Sequence, residues 1–255
     1  MGQLYLVRHG QASFGAEDYD RLSALGATQA GLLGRWFKAC GTPVDRIVSG
    51  AMRRHRETAS HCMAAFGADD GAHSDANDGA ARTVPGIDTL TIDARLNEFD
   101  HAQVMDVYRN VSASIVATEG AAADAEAARS AVMSSAELQR VFALATGRWM
   151  SGEHDSDYDE SWRAFRLRCV DALESLTDGR DPSKSIVVFT SGGTISAMCQ
   201  HVLDLTDKAT RELNWSLANT GVTRLLFTKG RRGLGYLNST AHFEWAREPG
   251  WLTYR

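Results

Sequence analysis

Short runs of apolar, often β-branched residues alternate along the chain with longer segments whose apolar positions recur at helical spacing. The segment Ala27–Ala39 is an example: its apolar residues from Leu32 to Phe37 share one face, and Ser23 ahead of it is a suitable N-cap. This alternation predicts an α/β domain with a mostly parallel sheet. The predicted strands are Leu4–Val7, Val44–Val48, Ile87–Ile92, Lys184–Thr190, Val222–Thr228 and Gly235–Asn238. The last two are expected to pair as a hairpin. Further predicted helices are one that ends near Phe66, Glu160–Leu176 and Ile195–Leu203.

One long region interrupts this alternation. From Ala102 to about Met150 the pattern is helical and rich in alanine, most clearly over Asp106–Ala117 and Ala121–Ala145. We interpret it as an inserted helical cap, over about residues 102–159. A different segment, Gly67–Gly86, is rich in Gly, Ala and Asp without periodicity, which predicts a flexible surface insertion.

Composition limits the class of protein. A chain of 255 residues suits one large domain, which we expect over residues 1–255 as a three-layer αβα architecture with the helical cap inserted. The net charge of -5 argues against general nucleic-acid binding. No apolar run is long enough to span a membrane, and the N-terminus enters a strand at once without a signal segment. We therefore expect a cytoplasmic protein. Its four cysteines form no Cys-x-x-Cys pair, which argues against a metal knuckle or a thioredoxin-type site, and their helix-like contexts favour reduced, partly buried thiols.

Polar residues cluster where the predicted strands end. Arg8-His9-Gly10 follows the first strand, Arg54 lies in the first turn of the helix after the second, and Ser191-Gly192-Gly193 opens the helix after Lys184–Thr190. Ligands of open α/β sheets bind at the carboxyl ends of the strands. Arginine and the backbone amides of a helix N-terminus both favour phosphate. The pattern therefore predicts an anion site, and Glu98 after the third strand adds a carboxylic acid.

These motifs, in this order, resemble the histidine phosphatase superfamily, also called the phosphoglycerate mutase-like family. The carriers of the resemblance are Leu-Val-Arg-His-Gly at 6–10, Leu25-Gly26 with Gln29-Ala30, and the segments 49–59, 93–98 and 187–193. The resemblance covers most of the chain apart from Gly67–Gly86 and the helical region after His101.

The resemblance implies a phosphate-transferring site. His9 is the nucleophile that forms a phosphohistidine, and Arg8 binds the phosphate. Anchoring the second segment on Thr58-Ala59 places the other phosphate-binding arginine at Arg54. Glu98 protonates the leaving alkoxide and then deprotonates water. The expected partner is a small phosphorylated substrate, and neither a cofactor nor a metal is implied.

One residue departs from the family pattern. The second histidine of the family is Ser191 here, next to Gly192, and both are assigned to phosphate binding. A serine donates a neutral hydrogen bond but carries no charge, so the enzyme is either slow or recruits another group. His101 is the candidate stand-in and His242 a weaker one. We interpret the other histidines as ordinary surface or helix residues: His55, His61, His73, His154 and His201.

The leading hypothesis is a phosphomonoester hydrolase acting through His9. If Ser191 is simply a lost histidine, Ser191→His should raise turnover or leave it intact. Two alternatives stay open: a catalytically weak or inactive relative that binds a phosphorylated ligand, and a phosphoglycerate-type mutase. The sequence leaves the physiological substrate and the oligomeric state open, a homodimer included, and indicates no nucleic-acid or membrane partner.

Overall fold

The computed structural model describes residues 1–13, 20–68, 89–118, 135–180 and 182–254. The insertion predicted at Gly67–Gly86 lies outside these residues except at its start, as does the first part of the helix predicted at Ala121–Ala145. The chain divides into two compact units. The first comprises Met1–Glu98 with Cys169–Arg255, and the second comprises Phe99–Arg168.

The described part of the first unit contains a six-stranded mixed sheet. The order across the sheet is β3-β2-β4-β1-β5-β6. Strands β1 to β4 run parallel to one another, whereas β5 pairs antiparallel with both β1 and β6. This confirms the predicted α/β class with a mostly parallel sheet. The strands are β1 (Gly2–Arg8), β2 (Arg46–Ser49), β3 (Thr91–Ile92), β4 (Ser185–Thr190), β5 (Val222–Thr228) and β6 (Arg231–Ser239).

Helices connect most of these strands. The Ser23 side chain accepts a hydrogen bond from the Gly26 amide, so Ser23 caps α1 as predicted. The pattern did not predict the helix Asp207–Ser216, which is mostly polar and has Thr210 as its buried residue. The helices are α1 (Ala24–Ala39), α2 (Arg53–Gly67), α3 (His101–Thr118), α4 (Ser135–Met150), α5 (Trp162–Thr177), α6 (Gly192–Leu203), α7 (Asp207–Ser216) and α8 (Ala241–Ala246).

Both faces of the central strands β1 and β4 are buried. Side chains alternate along a strand, so one set faces α1 and α2 in a core that includes Tyr5, Val7 and Phe189. The opposite set, with Leu6 and Val188, is equally inaccessible to water. Strands covered on both faces read as continuous apolar runs, as β1 and β4 do. This arrangement is the three-layer αβα architecture expected from the sequence.

The parallel register brings three strand ends to one edge of the sheet. Arg8 at the end of β1 pairs with Thr190 at the end of β4, and Ser49 at the end of β2 pairs with Phe189. The residues that follow β1, β2 and β4 therefore start from neighbouring positions.

The second unit is helical and has an aromatic centre. The ring of Phe99 stacks on Trp149 with centroids 4.5 Å apart, and Phe165 meets it edge-on. The Trp149 indole N–H donates to the Glu160 carbonyl at 2.8 Å, which satisfies the polar atom of a buried ring. The ring of His101 packs 4.2 Å from that of Phe99. In neither unit do the described residues include a helix long and apolar enough to cross a membrane.

Candidate active site

His9 lies directly after β1 and is buried. Its backbone N–H donates to the Thr190 carbonyl at 2.8 Å, so the residue continues the pairing of β1 with β4. Its ring Nδ1 lies 2.8 Å from the carbonyl oxygen of Gly10. A carbonyl only accepts hydrogen bonds, so Nδ1 carries the ring proton. The lone pair of the neutral imidazole is therefore on Nε2.

The surroundings of His9 keep its imidazole neutral. Burial lowers its pKa well below the usual value, and the positive charges of Arg54 and Arg8 lower it further. His55 acts in the same direction, while the bond to Gly10 opposes it. At neutral pH the ring is therefore uncharged.

The loop that carries His9 is fixed from two sides. The Gly10 amide donates to the Thr58 hydroxyl at 3.0 Å, and that hydroxyl donates to the Arg54 carbonyl at 2.6 Å. A side chain at Gly10 would collide with the Gly26 carbonyl at the start of α1. Position 10 therefore requires glycine, because the backbones of the loop and of α1 touch there.

Of two adjacent arginines at the start of α2, one is buried. Arg54 is 4% exposed, whereas the side chain of Arg53 is 48% exposed. The Arg54 guanidinium pairs with the Asp20 carboxylate, Nη1 to Oδ1 at 2.8 Å. A helix N-terminus repels a cation, so this buried arginine is stabilised by a negative partner. Asp20 supplies one such charge.

Arg8, at the end of β1, is held by the backbone of the C-terminal third of the chain. Its Nη1 donates to the carbonyl of Leu217 and, at 3.1 Å, to that of Tyr254. A side chain at Gly192 would lie 3.6 Å from the Arg8 Nε and would collide with the Asn214 carboxamide. The guanidinium of Arg8 therefore lies alongside the first residue of α6.

Glu98 is tied to the same helix. It is 9% exposed, and its Oε2 accepts a hydrogen bond from the Gly193 amide at 3.0 Å. The segment before it is fixed because the hydroxyls of Thr190 and Thr194 donate to the carbonyls of Leu96 and Asn97. The sequence predicted an anion site at the backbone amides of this helix N-terminus; in the structure the Gly193 amide donates to the carboxylate of Glu98.

The interpretation of His55 as an ordinary surface or helix residue is wrong. His55 is in α2, but it is 0% exposed, and its Nε2 lies 2.5 Å from the hydroxyl oxygen of Ser191. The rings of His55 and His9 have their centroids 5.7 Å apart. A signal for its burial was present: His55 precedes Ala59, Cys62 and Phe66 at helical spacing, on the apolar stripe of α2.

The structure describes the two histidines first considered as stand-ins in different units of the chain. His242 is buried beside Trp36, and its Nε2 is 2.9 Å from the Thr220 hydroxyl. His101 belongs to the second unit, so its role stays a prediction. His61 and His201 are exposed as predicted, His154 is half-buried, and His73 lies outside the described residues.

The first unit thus holds a neutral imidazole, two guanidinium groups and a carboxylate around the ends of β1, β2 and β4. This set can bind a phosphate group and offer it a nucleophile. Throughout the described ranges, no three His, Cys, Asp or Glu side chains are grouped to hold a metal ion.

Comparisons with known proteins agree with this chemistry. The sequence model of the histidine phosphatase superfamily (branch 1) matches residues 4–113 and 126–240. A search of curated proteins found no match.

Solved structures share the fold at low sequence identity. A phosphoserine phosphatase from Entamoeba histolytica, in complex with 3-phosphoglyceric acid, is 19% identical with a TM-score of 0.58, covering 95% of this chain and 99% of its own. A phosphoglycerate mutase from Bacillus anthracis is 16% identical with a TM-score of 0.59, covering 97% of both chains. A mycobacterial glucosyl-3-phosphoglycerate phosphatase is 19% identical with a TM-score of 0.55, and the match covers 94% of this chain and 100% of the phosphatase. With its family model matched over most of its length, the chain belongs to the histidine phosphatase superfamily, branch 1.

Proposed function

We propose that this protein is a phosphomonoester hydrolase that transfers the phosphoryl group of its substrate first to His9 and then to water. The observation that carries the proposal is the bond between His9 Nδ1 and the Gly10 carbonyl. It leaves Nε2 as the free nucleophilic atom of a ring whose pKa burial has lowered. A covalent intermediate of this kind divides one difficult transfer into two easier ones.

Arg8 and Arg54 are proposed to bind the phosphoryl group. Negative charge spreads over its oxygens in the transition state, so fixed positive charge contributes most there. Guanidinium groups also match two phosphate oxygens at once. Asp20 already contacts Arg54 through a carboxylate oxygen. A bound phosphate would meet the same guanidinium, so Asp20 either shares Arg54 or releases it.

Glu98 is proposed as the general acid for the leaving alkoxide and then as the base for water. The Gly193 amide fixes the orientation of this carboxylate. A carboxylate that donates a proton to the leaving alkoxide and then accepts one from water acts more efficiently when its position is fixed. Glu98 and His9 belong to the same compact unit.

Hydrolysis is favoured over the two alternatives by specific residues. A mutase must retain its phosphoenzyme, and a neutral Ser191 in place of a histidine gives that state less stabilisation. A protein that only binds phosphate has no need for a neutral imidazole with its tautomer fixed, as in His9. The solved relatives include enzymes described as phosphatases and one described as a mutase, so each reaction is tested directly.

The test is phosphate release from p-nitrophenyl phosphate and from a panel of small phosphomonoesters. We expect turnover by the natural protein, an acid-labile phosphohistidine in quenched samples, and neither with His9→Ala. His61→Ala, at an exposed histidine, is the matched control and should behave like the natural protein. Full activity of His9→Ala would refute the phosphohistidine mechanism. Interconversion of 2- and 3-phosphoglycerate without phosphate release would show a mutase.

We also infer that the protein works in a reducing, cytoplasmic compartment. None of the four cysteines, all of which the structure describes, forms a disulfide, and Cys40 is exposed. An exposed free thiol persists where thiols are kept reduced. Fractionation of cells carrying a tagged copy tests this; recovery from an oxidising compartment would contradict it.

A further inference from the structure

An imidazole lies beside position 191 although residue 191 is a serine. His55 reaches it from α2, with Nε2 2.5 Å from the Ser191 hydroxyl oxygen. Both residues are fully buried, and the His55 ring is also near that of His9. The histidine that the family carries after β4 is therefore replaced in space by one that follows Arg54.

The hydroxyl of Ser191 does not serve its own helix. Serine at the residue before a helix usually accepts a hydrogen bond from a first-turn amide. Ser191 occupies that position in α6, yet its side chain makes no such bond. The Gly193 amide is bound by Glu98 instead. The contact with His55 therefore accounts for the orientation of the Ser191 side chain.

The position of the His55 proton follows from its two ring nitrogens. Nδ1 is buried and has no hydrogen-bond partner among the described residues, whereas Nε2 faces Ser191. A buried N–H without an acceptor is costly, so the proton belongs on Nε2, where it donates to the Ser191 oxygen. The hydrogen of the Ser191 hydroxyl is then available to another acceptor. Burial and Arg54 lower the pKa of His55, which keeps the ring neutral.

We propose that His55 and Ser191 act as a pair in place of the missing second histidine. Ser191 donates its hydroxyl hydrogen to an oxygen of the phosphoryl group held at His9. His55, through its Nε2–H, is a positioning residue that points this hydrogen away from α2. The proposal rests on the proposed function for its substrate, a phosphoryl group bound at His9.

The pair also reverses the expectation for Ser191→His. From the sequence alone, that change should raise turnover or preserve it. With the His55 ring 2.5 Å from the Ser191 oxygen, a second imidazole has no room. We now expect Ser191→His to lower kcat. Combined with His55→Ala, which empties the space in α2, it should restore much of the lost activity.

The main experiment compares kcat and KM on p-nitrophenyl phosphate for His55→Leu, His55→Gln, Ser191→Ala and the double variant His55→Leu/Ser191→Ala. His55→Leu and Ser191→Ala should each lower kcat by ~10²-fold, with a smaller change in KM. The double variant should lose no more than Ser191→Ala alone, because the two residues act as a unit. His55→Gln should retain part of the activity, since its amide also donates to Ser191.

His61→Leu is the matched control, at an exposed histidine of the same helix, and should leave kcat unchanged. The pair would be overturned if the kcat losses of the two single variants multiplied in the double variant, or if His55→Leu kept the kcat of the natural protein. Thermal unfolding confirms that each variant is folded. For a double variant that does not fold, imidazole nitrogen NMR of the natural protein and of Ser191→Ala decides: the Nε2–H tautomer of His55 supports the pair, and the Nδ1–H tautomer overturns it.

Binding of inorganic phosphate separates this inference from the proposed function. Calorimetry should show about tenfold weaker phosphate binding in both His55→Leu and Ser191→Ala, the loss of about one hydrogen bond. If phosphate binding weakens in both variants but the natural protein hydrolyses no phosphomonoester, the pair stands and the proposed hydrolysis is wrong. If it hydrolyses phosphomonoesters while both variants bind phosphate and turn over as the natural protein does, the pair is wrong and the hydrolysis stands.

Discussion

The carboxylate of Glu98 and the backbone amide of Gly193 are joined by a hydrogen bond of 3.0 Å, although 95 positions separate them in the chain. The bond connects the segment after β3 to the first turn of α6. The carboxylate accepts from one of the amides that the N-terminus of that helix leaves unpaired, and the helix dipole favours its negative charge. The proposed acid is thus oriented by the same helix that begins next to Ser191.

Glu98→Gln should separate the chemical role of Glu98 from its structural one. Glutamine keeps an oxygen for the Gly193 amide, so thermal stability should change little. It cannot donate the carboxyl proton, so hydrolysis of alkyl phosphates should fall by ~10²–10⁴-fold. p-Nitrophenyl phosphate has a good leaving group and should lose less. Steady-state kinetics on both classes of substrate checks this; equal losses on both would contradict general-acid catalysis.

Asp20→Asn should tighten phosphate binding. The Asp20 carboxylate contacts Arg54, which is also the proposed phosphate ligand, so the two anions compete for one guanidinium. A pair with one partly exposed member is worth about 1 kcal/mol, which corresponds to about a fivefold change in affinity. Inhibition by inorganic phosphate measures the effect. Weaker phosphate binding would mean that Asp20 holds Arg54 in its productive position instead.

The titration of His9 should lie on the acid side of ordinary histidine. Burial lowers its pKa most, followed by the charges of Arg54 and Arg8 and by His55. The acid limb of kcat/KM should therefore fall below about pH 6.5, the pKa of a free histidine. Removing one positive neighbour with Arg54→Gln should move the titration of the His9 ring upward. Imidazole NMR follows this without relying on turnover, and an unchanged titration would contradict the electrostatic explanation.

Protein stability should decrease below neutral pH, partly because of His242. Burial lowers the pKa of His242 to about 4, while the unfolded chain titrates near its ordinary value of about 6.5. The unfolded state therefore binds more protons between these values, and stability is lost as pH falls from about 6.5 to about 4. The full loss from this one residue is about 3 kcal/mol.

Urea unfolding of the natural protein and of His242→Gln, at about pH 7.5 and about pH 5, measures this contribution. Glutamine keeps a polar partner for the Thr220 hydroxyl but does not titrate. The variant should lose less stability on acidification than the natural protein. An identical loss in both would assign the pH dependence to other groups, of which His9 and His55 are buried and titrate in the same direction.

Gly50→Ala should impair the site although position 50 has no proposed chemical role. A Cβ there would collide with the His55 Nδ1 and lie 3.0 Å from the Leu96 carbonyl. The His55 ring would then move away from Ser191, and kcat should fall by ~10-fold or more. Gly67→Ala is the matched control, since a Cβ at Gly67, at the end of α2, meets nothing within 4 Å. Natural kinetics in Gly50→Ala would mean that the ring tolerates displacement.

Many of the strands and helices can be predicted from local sequence. The apolar runs of β1 and β4, the strand–helix alternation and the Ser23 cap depend on periodicity and neighbouring residues, which a sequence displays directly. Helix α7 was missed because it is short and mostly polar, with few apolar side chains to mark a helical period. The placement of Arg8, His9 and Ser191 at neighbouring strand ends follows once β1 and β4 are parallel neighbours. The alternation predicts a mostly parallel sheet, but not which strands are neighbours.

The α/β class, the order of the phosphate-type motifs and the serine at position 191 follow directly from the sequence. The group that lies beside that serine emerges from the folded chain, because the contact between His55 and Ser191 joins residues 136 positions apart. Helical spacing indicates that His55 faces inward, but not which group it meets there. That depends on how closely α2 packs against the start of α6, and on a glycine at position 50 that leaves room for the ring.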